Sequence, residues 1–265
     1  MLIDTHSHLD RYLLCKRLGK SIEPILQQIE EYRILTISNS MDLTSYKTNC
    51  RIAKNSKYVI PAFGIHPWNA HEYLDRTELI EELINRIEII GEIGLDYFYV
   101  KDKDKYPAQR KILNLFLSKA KNKILSIHTK GAEKDVLDSL REHGNERVIV
   151  HWFSGSLDVL DEMIEEGYYF SVVPEIRFSD HIQKIVKKIP MAQILTETDN
   201  PGGPESYMGK KGMPILIKDV IEDIAKVKGK SFEQVERAVQ NNFVRLIESL
   251  PVLRSKAYGI ISGSP

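Results

Sequence analysis

Short apolar segments rich in β-branched residues alternate with segments of helical periodicity, and this alternation is the strongest constraint on the fold. Residues 78–88 show the helical pattern, with Leu79, Leu83, Ile84 and Ile87 on one face. Strands that alternate with helices favour a parallel sheet, since parallel strands need a crossover connection. The predicted strands are residues 1–5, 34–38, 59–64, 89–93, 124–127, 148–151, 168–173 and 194–196. The predicted helices are residues 22–30, 78–88, 111–120, 133–142, 157–165, 179–188, 215–226 and 232–249.

Eight strands in a chain of 265 residues predict an α/β fold of the (β/α)8 TIM barrel type. A doubly wound open sheet is the alternative. No linker rich in proline, glycine or serine divides the chain, and we find no internal repeat. We therefore expect one domain over residues 1–253. A weakly specified C-terminal tail over residues 254–265 is expected to follow.

The composition bears on partners and compartment. With 37 basic and 37 acidic residues the net charge is zero, which argues against coating nucleic acid by bulk electrostatics but leaves room for a local basic rim. No apolar run reaches the length of a membrane span, and the start of the chain does not resemble a secretory signal. Two cysteines, Cys15 and Cys50, do not indicate a disulfide framework. We expect a cytoplasmic protein without a membrane or an obligate protein partner.

The first predicted strand leads into Asp4-Thr5-His6-Ser7-His8. Side chains alternate along a strand, so His6 and His8 point the same way. Two imidazoles at a strand end can bind a divalent metal ion. Solvated or hydrogen-bonded histidines are equally compatible with the pair alone, so the interpretation depends on ligands at other strand ends.

Other predicted strands end in residue types that bind metal ions. These residues are His66, Glu92, His128, His151 and Asp199. In a TIM barrel the catalytic side chains come from the carboxyl ends of the strands. Taken singly, each has a structural explanation, such as a core histidine, a helix cap or a surface acid. However, an acid inside the apolar segment 89–93 is costly to bury unpaired, and a metal ion would compensate it.

Six residues form the predicted ligand set. They are His6, His8, Glu92, His128, His151 and Asp199. Four nitrogens and two carboxylates exceed the three protein ligands of a single catalytic zinc ion. The set fits two adjacent divalent ions bridged by a carboxylate, each with room for water or substrate. Mixed imidazole and carboxylate donors favour zinc, manganese or iron, with magnesium as a further candidate.

The strand-end motifs resemble those of the TatD family of metal-dependent deoxyribonucleases. The resemblance rests on Asp4-Thr5-His6-Ser7-His8-Leu9-Asp10, Gly64-Ile65-His66-Pro67, Gly91-Glu92-Ile93-Gly94-Leu95-Asp96-Tyr97, Ile127-His128, His151-Trp152-Phe153-Ser154-Gly155-Ser156, Glu197-Thr198-Asp199 and Asn242-Phe243-Val244-Arg245-Leu246. They occur in the family's order. The resemblance implies an amidohydrolase-like barrel with two divalent ions, which hydrolyses DNA phosphodiester bonds with a metal-activated water. DNA, single-stranded or at its ends, is then the expected substrate.

The resemblance also implies a role for each candidate residue. His6 and His8 would hold one metal ion with Asp199, His128 and His151 would hold the second, and Glu92 would bridge the two. Asp199 would also orient or deprotonate the attacking water, so Asp199 and Glu92 are the expected catalytic residues. His66 would lie beside the substrate phosphate.

Several positions around the expected site depart from the family's usual pattern. Lys130 stands where the family often has arginine, and a lysine can still meet a phosphate as a point charge. His66 and Lys130 are therefore the expected substrate-binding residues. Trp68 replaces the usual histidine and Trp152 the usual cysteine. The two indoles are expected either to stack a base or to pack under the loops.

Two other functions remain open on the sequence alone. A binuclear metal hydrolase of this type can also act on an amide, lactone or phosphoester of a small molecule. A metal-binding scaffold without catalysis is the other alternative, against which the intact Asp199 speaks. Glu197 shares strand parity with Asp199, so we expect it to point inward and to support the site or carry a proton.

Overall fold

The structure is a computed structural model that describes residues 1–14 and 21–261. Its strands are β1 (Leu2–Ser7), β2 (Ile34–Ser38), β3 (Val59–Pro61), β4 (Ile89–Gly94), β5 (Ile124–His128), β6 (Val148–His151), β7 (Tyr169–Val172) and β8 (Ile194–Thr196). All eight predicted strands are confirmed, and no bound moves by more than three residues. Cys15 lies outside the described residues, whereas Cys50 is a free, half-buried thiol.

The strands close into a barrel. They pair in parallel as two sheets, β1-β2-β3 and β4-β5-β6-β7-β8. An isolated parallel bridge between Phe63 and Ile90 joins the sheets on one side. On the other side, the Thr196 hydroxyl donates to the Ile3 carbonyl at 2.6 Å, and the Thr5 hydroxyl donates to the Thr196 carbonyl at 3.1 Å. The strand order therefore runs from β1 to β8 around the barrel, and the prediction of a TIM barrel is confirmed.

Helices surround the barrel and bury its outer face. They are α1 (Asp10–Leu14), α2 (Glu23–Glu31), α3 (Leu43–Ala53), α4 (Thr77–Asn85), α5 (Tyr106–Lys119), α6 (Glu133–His143), α7 (Leu157–Glu165), α8 (Asp180–Lys188), α9 (Gly202–Met208), α10 (Leu216–Lys228), α11 (Phe232–Ile247) and α12 (Pro251–Ile261). Nearly every strand residue is buried, as expected for parallel strands covered by helices. Within residues 1–14 and 21–261, no helix combines the length and the apolar character needed to cross a membrane.

Helix α3 was not predicted, because its buried face is polar. Ser45, Thr48 and Asn49 are buried there beside a single apolar residue, Ile52, so the buried face has no continuous apolar stripe. The Asn49 carboxamide oxygen accepts from the Ser38 hydroxyl at 2.8 Å, so the buried amide is satisfied. A capping box between Asp42 and Ser45 starts the helix. The short helices α1 and α9 were also not predicted.

The end of the chain differs from the expected loose tail, since residues 254–261 continue helix α12. Leu253, Ala257 and Ile260 are buried at helical spacing. The Glu88 carboxylate accepts from the backbone N–H of Leu253 at 2.7 Å and so holds the first turn, whose own N–H groups have no partner within the helix. The Arg33 guanidinium donates to the Ile260 carbonyl at 3.2 Å. Apolar packing and these bonds order the segment as far as the structure describes it.

Candidate metal centre

The predicted ligands meet at the carboxyl ends of the strands. His6 lies near the end of β1, with His8 just after it. Their Nε2 atoms are 3.3 Å apart, as strand parity predicted. Asp199 lies three residues beyond β8, and its backbone N–H donates to the His6 carbonyl at 2.9 Å. The closure of the barrel between β8 and β1 therefore brings Asp199 to the histidine pair.

Glu92 of β4 is the centre of the cluster. Its side chain is buried, and its Oε2 lies 3.3 Å from His8 Nε2 and 3.4 Å from His6 Nε2. Its other oxygen, Oε1, lies 2.8 Å from His128 Nδ1, 3.4 Å from His66 Nε2 and 3.8 Å from His151 Nε2. Within the described part of the chain, all ion-pair partners of this carboxylate are imidazoles.

The Asp199 carboxylate also lies close to His6 and His8. Its Oδ1 lies 3.4 Å from His8 Nε2 and 3.8 Å from His6 Nε2. Asp199 has a φ of 49°, in the left-handed region that residues other than glycine seldom adopt. Strain of this kind is typical of functional sites.

Three groups of donor atoms lie close enough to hold a metal ion. Within each group the ligand atoms lie within 4.8 Å of one another: His6, His8 and Glu92; His66, Glu92 and His128; and His6, His151 and Asp199. All six predicted ligands belong to at least one group, and Glu92 belongs to two. His66 joins them, although it was expected beside the substrate.

Burial and charge shift the pKa values of the cluster in different directions. Burial raises the pKa of Glu92, but the surrounding imidazoles, His66 and His6 first and then the hydrogen bond from His128, hold it well below its usual value. Burial lowers the pKa of both His66 and His151 to about 4, so these imidazoles are neutral donors at neutral pH. Neutral imidazole is the form that binds a metal ion.

Two further histidines are shifted the other way. Burial lowers the pKa of His8, but hydrogen bonds with Asp199 and Glu92 outweigh it and raise the value to about 10. For His128, hydrogen bonds with Asp96 and Glu92 likewise outweigh burial and raise the pKa to about 9. A metal ion that binds these imidazoles must therefore displace a proton.

The imidazoles are oriented by groups behind them. His6 Nδ1 lies 2.9 Å from the Ser126 hydroxyl, and His151 Nδ1 lies 2.7 Å from Glu197 Oε1. Glu197 points inward, as its strand parity predicted, and burial raises its pKa well above the usual value. Partners of this kind fix the ring orientation of a metal-binding histidine.

Asp96 is a site residue to which the sequence analysis gave no role. Its Oδ2 lies 3.1 Å from His128 Nε2 and accepts from the Trp68 indole N–H at 2.7 Å. Its Oδ1 accepts from the backbone N–H of Tyr99 at 2.7 Å. Asp96 thus joins an imidazole of the cluster to the loop after β4. Its place just beyond a strand end was the available signal.

A cavity of about 320 Å³ opens above the cluster. Lys130, the predicted substrate-binding residue, lines it and donates to the Ser154 hydroxyl at 2.8 Å. Its ammonium also lies 5.4 Å from the centre of the Trp152 ring. The Trp152 indole N–H donates to Glu175 at 2.7 Å. The Trp68 and Trp152 indoles are therefore both held by carboxylates as walls of the cavity.

A TIM barrel with imidazole and carboxylate donors gathered at the carboxyl ends of its strands defines a metal-dependent hydrolase. The family model described as "TatD related DNase" matches residues 3–248 of this chain. This chain belongs to the TatD related DNase family, and it is a hydrolytic enzyme.

Individual relatives agree with the family match. The chain is 30% identical to the uncharacterized metal-dependent hydrolase YabD of Bacillus subtilis (strain 168), over 93% of this chain and 98% of that protein. It is 28% identical to deoxyribonuclease TATDN3 of Homo sapiens, over 96% and 97% of the two chains. Its structure is similar to that of YJJV, a TatD homologue from Escherichia coli K12, with a TM-score of 0.82 and 25% identity over 92% and 97%.

Proposed function

We propose that this protein is a deoxyribonuclease that hydrolyses phosphodiester bonds at a centre of two divalent metal ions. The observation that carries the proposal is the set of five imidazole nitrogens within 4 Å of the buried Glu92 carboxylate. The relative TATDN3, which is named a deoxyribonuclease, supports the choice of DNA as substrate.

These residues suit bound metal ions better than a cluster in which protonated imidazoles alone balance the carboxylates. A buried carboxylate needs compensating positive charge, and here all its ion-pair partners among the described residues are imidazoles. Two of them, His66 and His151, are neutral at neutral pH because burial lowers their pKa to about 4. His8 and His128, with pKa values raised to about 10 and 9, carry positive charge beside Glu92 when no metal is bound. Divalent ions would take the place of those protons and bind the imidazole nitrogens. An imidazole-rich set favours zinc, manganese or iron, with magnesium as a further candidate.

The two oxygens of Glu92 face different halves of the set, as a bridging carboxylate requires. Oε2 faces the histidines of β1, which would hold one ion together with Asp199. Oε1 faces His128 and His151, which would hold the other. A nitrogen of His151 also lies in a donor group with His6 and Asp199. When bound, such ions polarise a phosphoryl oxygen and make water a nucleophile at neutral pH. In this arrangement Glu92 positions both halves of the site.

The protein's own groups then bind and orient the substrate. Asp199 accepts the proton of the attacking water, because its carboxylate lies at the edge of the donor cluster and lines the cavity. Lys130 binds the phosphate as a point charge from the far wall. Trp68 and Trp152 exclude water and offer flat faces to a base. His66 is buried against Glu92, so it binds or supports the metal centre more directly than it contacts substrate.

The decisive test is digestion of end-labelled single-stranded and duplex DNA with zinc, manganese, iron or magnesium, together with metal analysis of the purified protein. We expect cleavage that chelation abolishes, and about two ions per chain. Full activity in chelator would refute the metal centre. Intact DNA together with cleavage of an amide, a lactone or a small phosphoester would show a small-molecule hydrolase instead.

A variant tests the role of Asp199. Asp199→Asn should lower the rate of DNA cleavage by about 10³-fold, since the amide cannot accept the proton of the water. Asp138→Asn makes the same change on the exposed face of α6 and should leave the rate unaltered. Circular dichroism checks that both variants are folded. Equal rates for the two variants would contradict the assigned role.

A further inference from the structure

Arg11 is an exposed arginine on the rim of the same cavity, three residues beyond His8. Its backbone is fixed, because its N–H donates to the His8 carbonyl at 3.0 Å and the neighbouring Tyr12 hydroxyl donates to the Gly212 carbonyl at 2.6 Å. The guanidinium contacts the sulfur of Met41. The proposed function gives this residue no role.

The guanidinium of Arg11 forms no ion pair with the described residues, and the two nearby acids have other environments. Asp10 is 3% exposed, and burial raises the pKa of its carboxyl group above the usual value, although the charges of His8 and Arg11 lower it. Asp42 accepts from the backbone N–H of Ser45 at 2.7 Å at the start of α3. Among residues 1–14 and 21–261, this guanidinium therefore has no carboxylate within ion-pair distance.

Arg11 and Lys130 lie on opposite sides of the metal centre. Arg11 follows β1 and Lys130 follows β5, and these strands are four places apart around a barrel of eight. The donor cluster lies between them, and both residues line the same cavity. A second cavity of about 480 Å³ shares Arg11, Met41 and Trp68 with the first, and Asp10 and Asp42 line it as well. Space therefore continues past Arg11, away from the cluster.

We propose that Arg11 binds a second phosphate of the substrate, one that is not cleaved, so that the site spans successive nucleotides of an unpaired strand. The inference rests on the proposed function and adds the size and charge of the substrate. Lys130 meets the strand on one side of the metal centre and Arg11 on the other. A guanidinium suits this task because it presents a planar fork of donors to phosphate oxygens. A substrate with a single phosphate does not reach Arg11.

Salt dependence of strand binding tests the proposal directly. Each phosphate contact to a single strand contributes about 0.7 to the slope of log K against log salt concentration. The dissociation constant of a short fluorescein-labelled single-stranded oligonucleotide is measured by anisotropy between about 50 and 200 mM salt. The manganese-loaded Asp199→Asn protein is used, so that the strand is bound without being cut. Arg11→Gln, Arg11→Lys and Arg237→Gln are each compared in this background.

Arg237 is the matched control, because it is an exposed arginine on α11. That helix contacts the amino end of β1, where Gln240 donates to the Met1 carbonyl at 2.7 Å. We expect Arg11→Gln to lower the salt slope by about 0.7 and to weaken binding several-fold at low salt. Arg11→Lys should restore the slope because it restores the charge. Arg237→Gln should change neither quantity. Equal slopes for the two glutamine variants would overturn the inference.

A substrate with one phosphorus atom separates strand binding from the reaction itself. The variants are therefore compared, with Asp199 intact, in the hydrolysis of bis(p-nitrophenyl) phosphate. Unchanged kcat/KM for Arg11→Gln supports a separate phosphate site, whereas a loss equal to that on the oligonucleotide would overturn it. If the parent protein hydrolyses this ester but neither binds nor cuts DNA, the proposed function fails. The inference fails separately if DNA is cut but the salt slope does not depend on Arg11.

Discussion

The two ends of the barrel are built from the same strands but from different chemistry. Toward the amino ends, paired residues such as Ile89 with Ile124 and Leu125 with Val148 are almost fully buried and apolar. Toward the carboxyl ends, the buried residues are carboxylic acids and imidazoles. Burying apolar surface stabilises the fold, whereas burying charge without compensation destabilises it.

Backbone strain occurs at both ends of the barrel. Trp152 and Asp199, with φ of 39° and 49°, lie just beyond the carboxyl ends of strands, whereas Arg33, with φ of 50°, directly precedes β2. Left-handed backbone at residues other than glycine costs about 1–3 kcal/mol each. The two ends therefore differ in what they bury, and we infer that the apolar amino half supplies the stability that the polar carboxyl half uses.

The largest expected effect is at the carboxyl end. Glu92→Gln should lower activity by about 10³- to 10⁴-fold, equivalent to about 4–5.5 kcal/mol, because glutamine lacks the negative charge that Glu92 places at the centre of the proposed metal site. Titration with manganese or zinc, followed by calorimetry, should show weakened binding while circular dichroism shows a folded barrel. Glu82→Gln, in an exposed ion pair with Arg86, is the control and should have little effect. A fully active Glu92→Gln protein would show that the chemistry at the carboxyl end does not depend on this buried carboxylate.

At the amino end the expected effect falls on stability alone. Phe243 of α11 is fully buried, and the preceding Asn242 donates to the Ile194 carbonyl at the start of β8. Phe243→Ala should lower the free energy of unfolding by about 3–5 kcal/mol, through lost burial and a residual cavity. Urea denaturation measures this, and kcat at low temperature should stay near the parent value. Phe178→Ala, at a residue 57% exposed, should lower stability much less. A large loss of kcat in folded Phe243→Ala would show that the two ends are coupled.

Strands were easier to predict than helices because the strands bury continuous apolar runs. Strands β2, β6 and β8 have the predicted bounds, since each is a short continuous apolar run. Helix α3 was missed because its buried face carries Ser45, Thr48 and Asn49. The carboxamide of Asn49 is satisfied by Ser38 of β2. A hydrogen bond between a strand and the helix that follows it leaves no periodic pattern in the sequence.

The donor cluster followed from strand parity and from the rule that barrel strands present active-site residues at their carboxyl ends. Strand parity depends only on the local sequence, and the strand-end rule holds for any TIM barrel. Together they placed His6, His8 and Glu92 at one site before the structure was known. Their role as metal ligands stays a prediction. Asp96 also lies just beyond a strand end, but its partners, like those of Arg11, could not be predicted because they depend on how loops fold over the rim. Here the partners, the Trp68 indole and the Met41 sulfur, are set by tertiary packing alone.

The smallest expected effect concerns a single methyl group at the carboxyl end. Gly202 and Gly203 are adjacent in the first turn of α9, and neither has a positive φ. A Cβ at Gly203 would lie 2.4 Å from Asp199 Oδ2, whereas a Cβ at Gly202 would have no neighbour within 4 Å. Gly203→Ala should therefore displace the Asp199 carboxylate, and a displacement of about 1 Å can lower the rate by about 10²-fold.

Gly202→Ala is the matched control for that change. It adds the same methyl group one residue earlier, where it should leave kcat unaltered and raise stability by up to about 1 kcal/mol, because alanine favours a helix over glycine. The two variants are compared by the rate of DNA cleavage and by thermal unfolding. A slow Gly203→Ala protein that unfolds at the parent temperature would show that the carboxyl end fails by misplacing one carboxylate, not by losing packing. Equal rates for both variants would mean that catalysis does not depend on the position that the Asp199 carboxylate has in the structure.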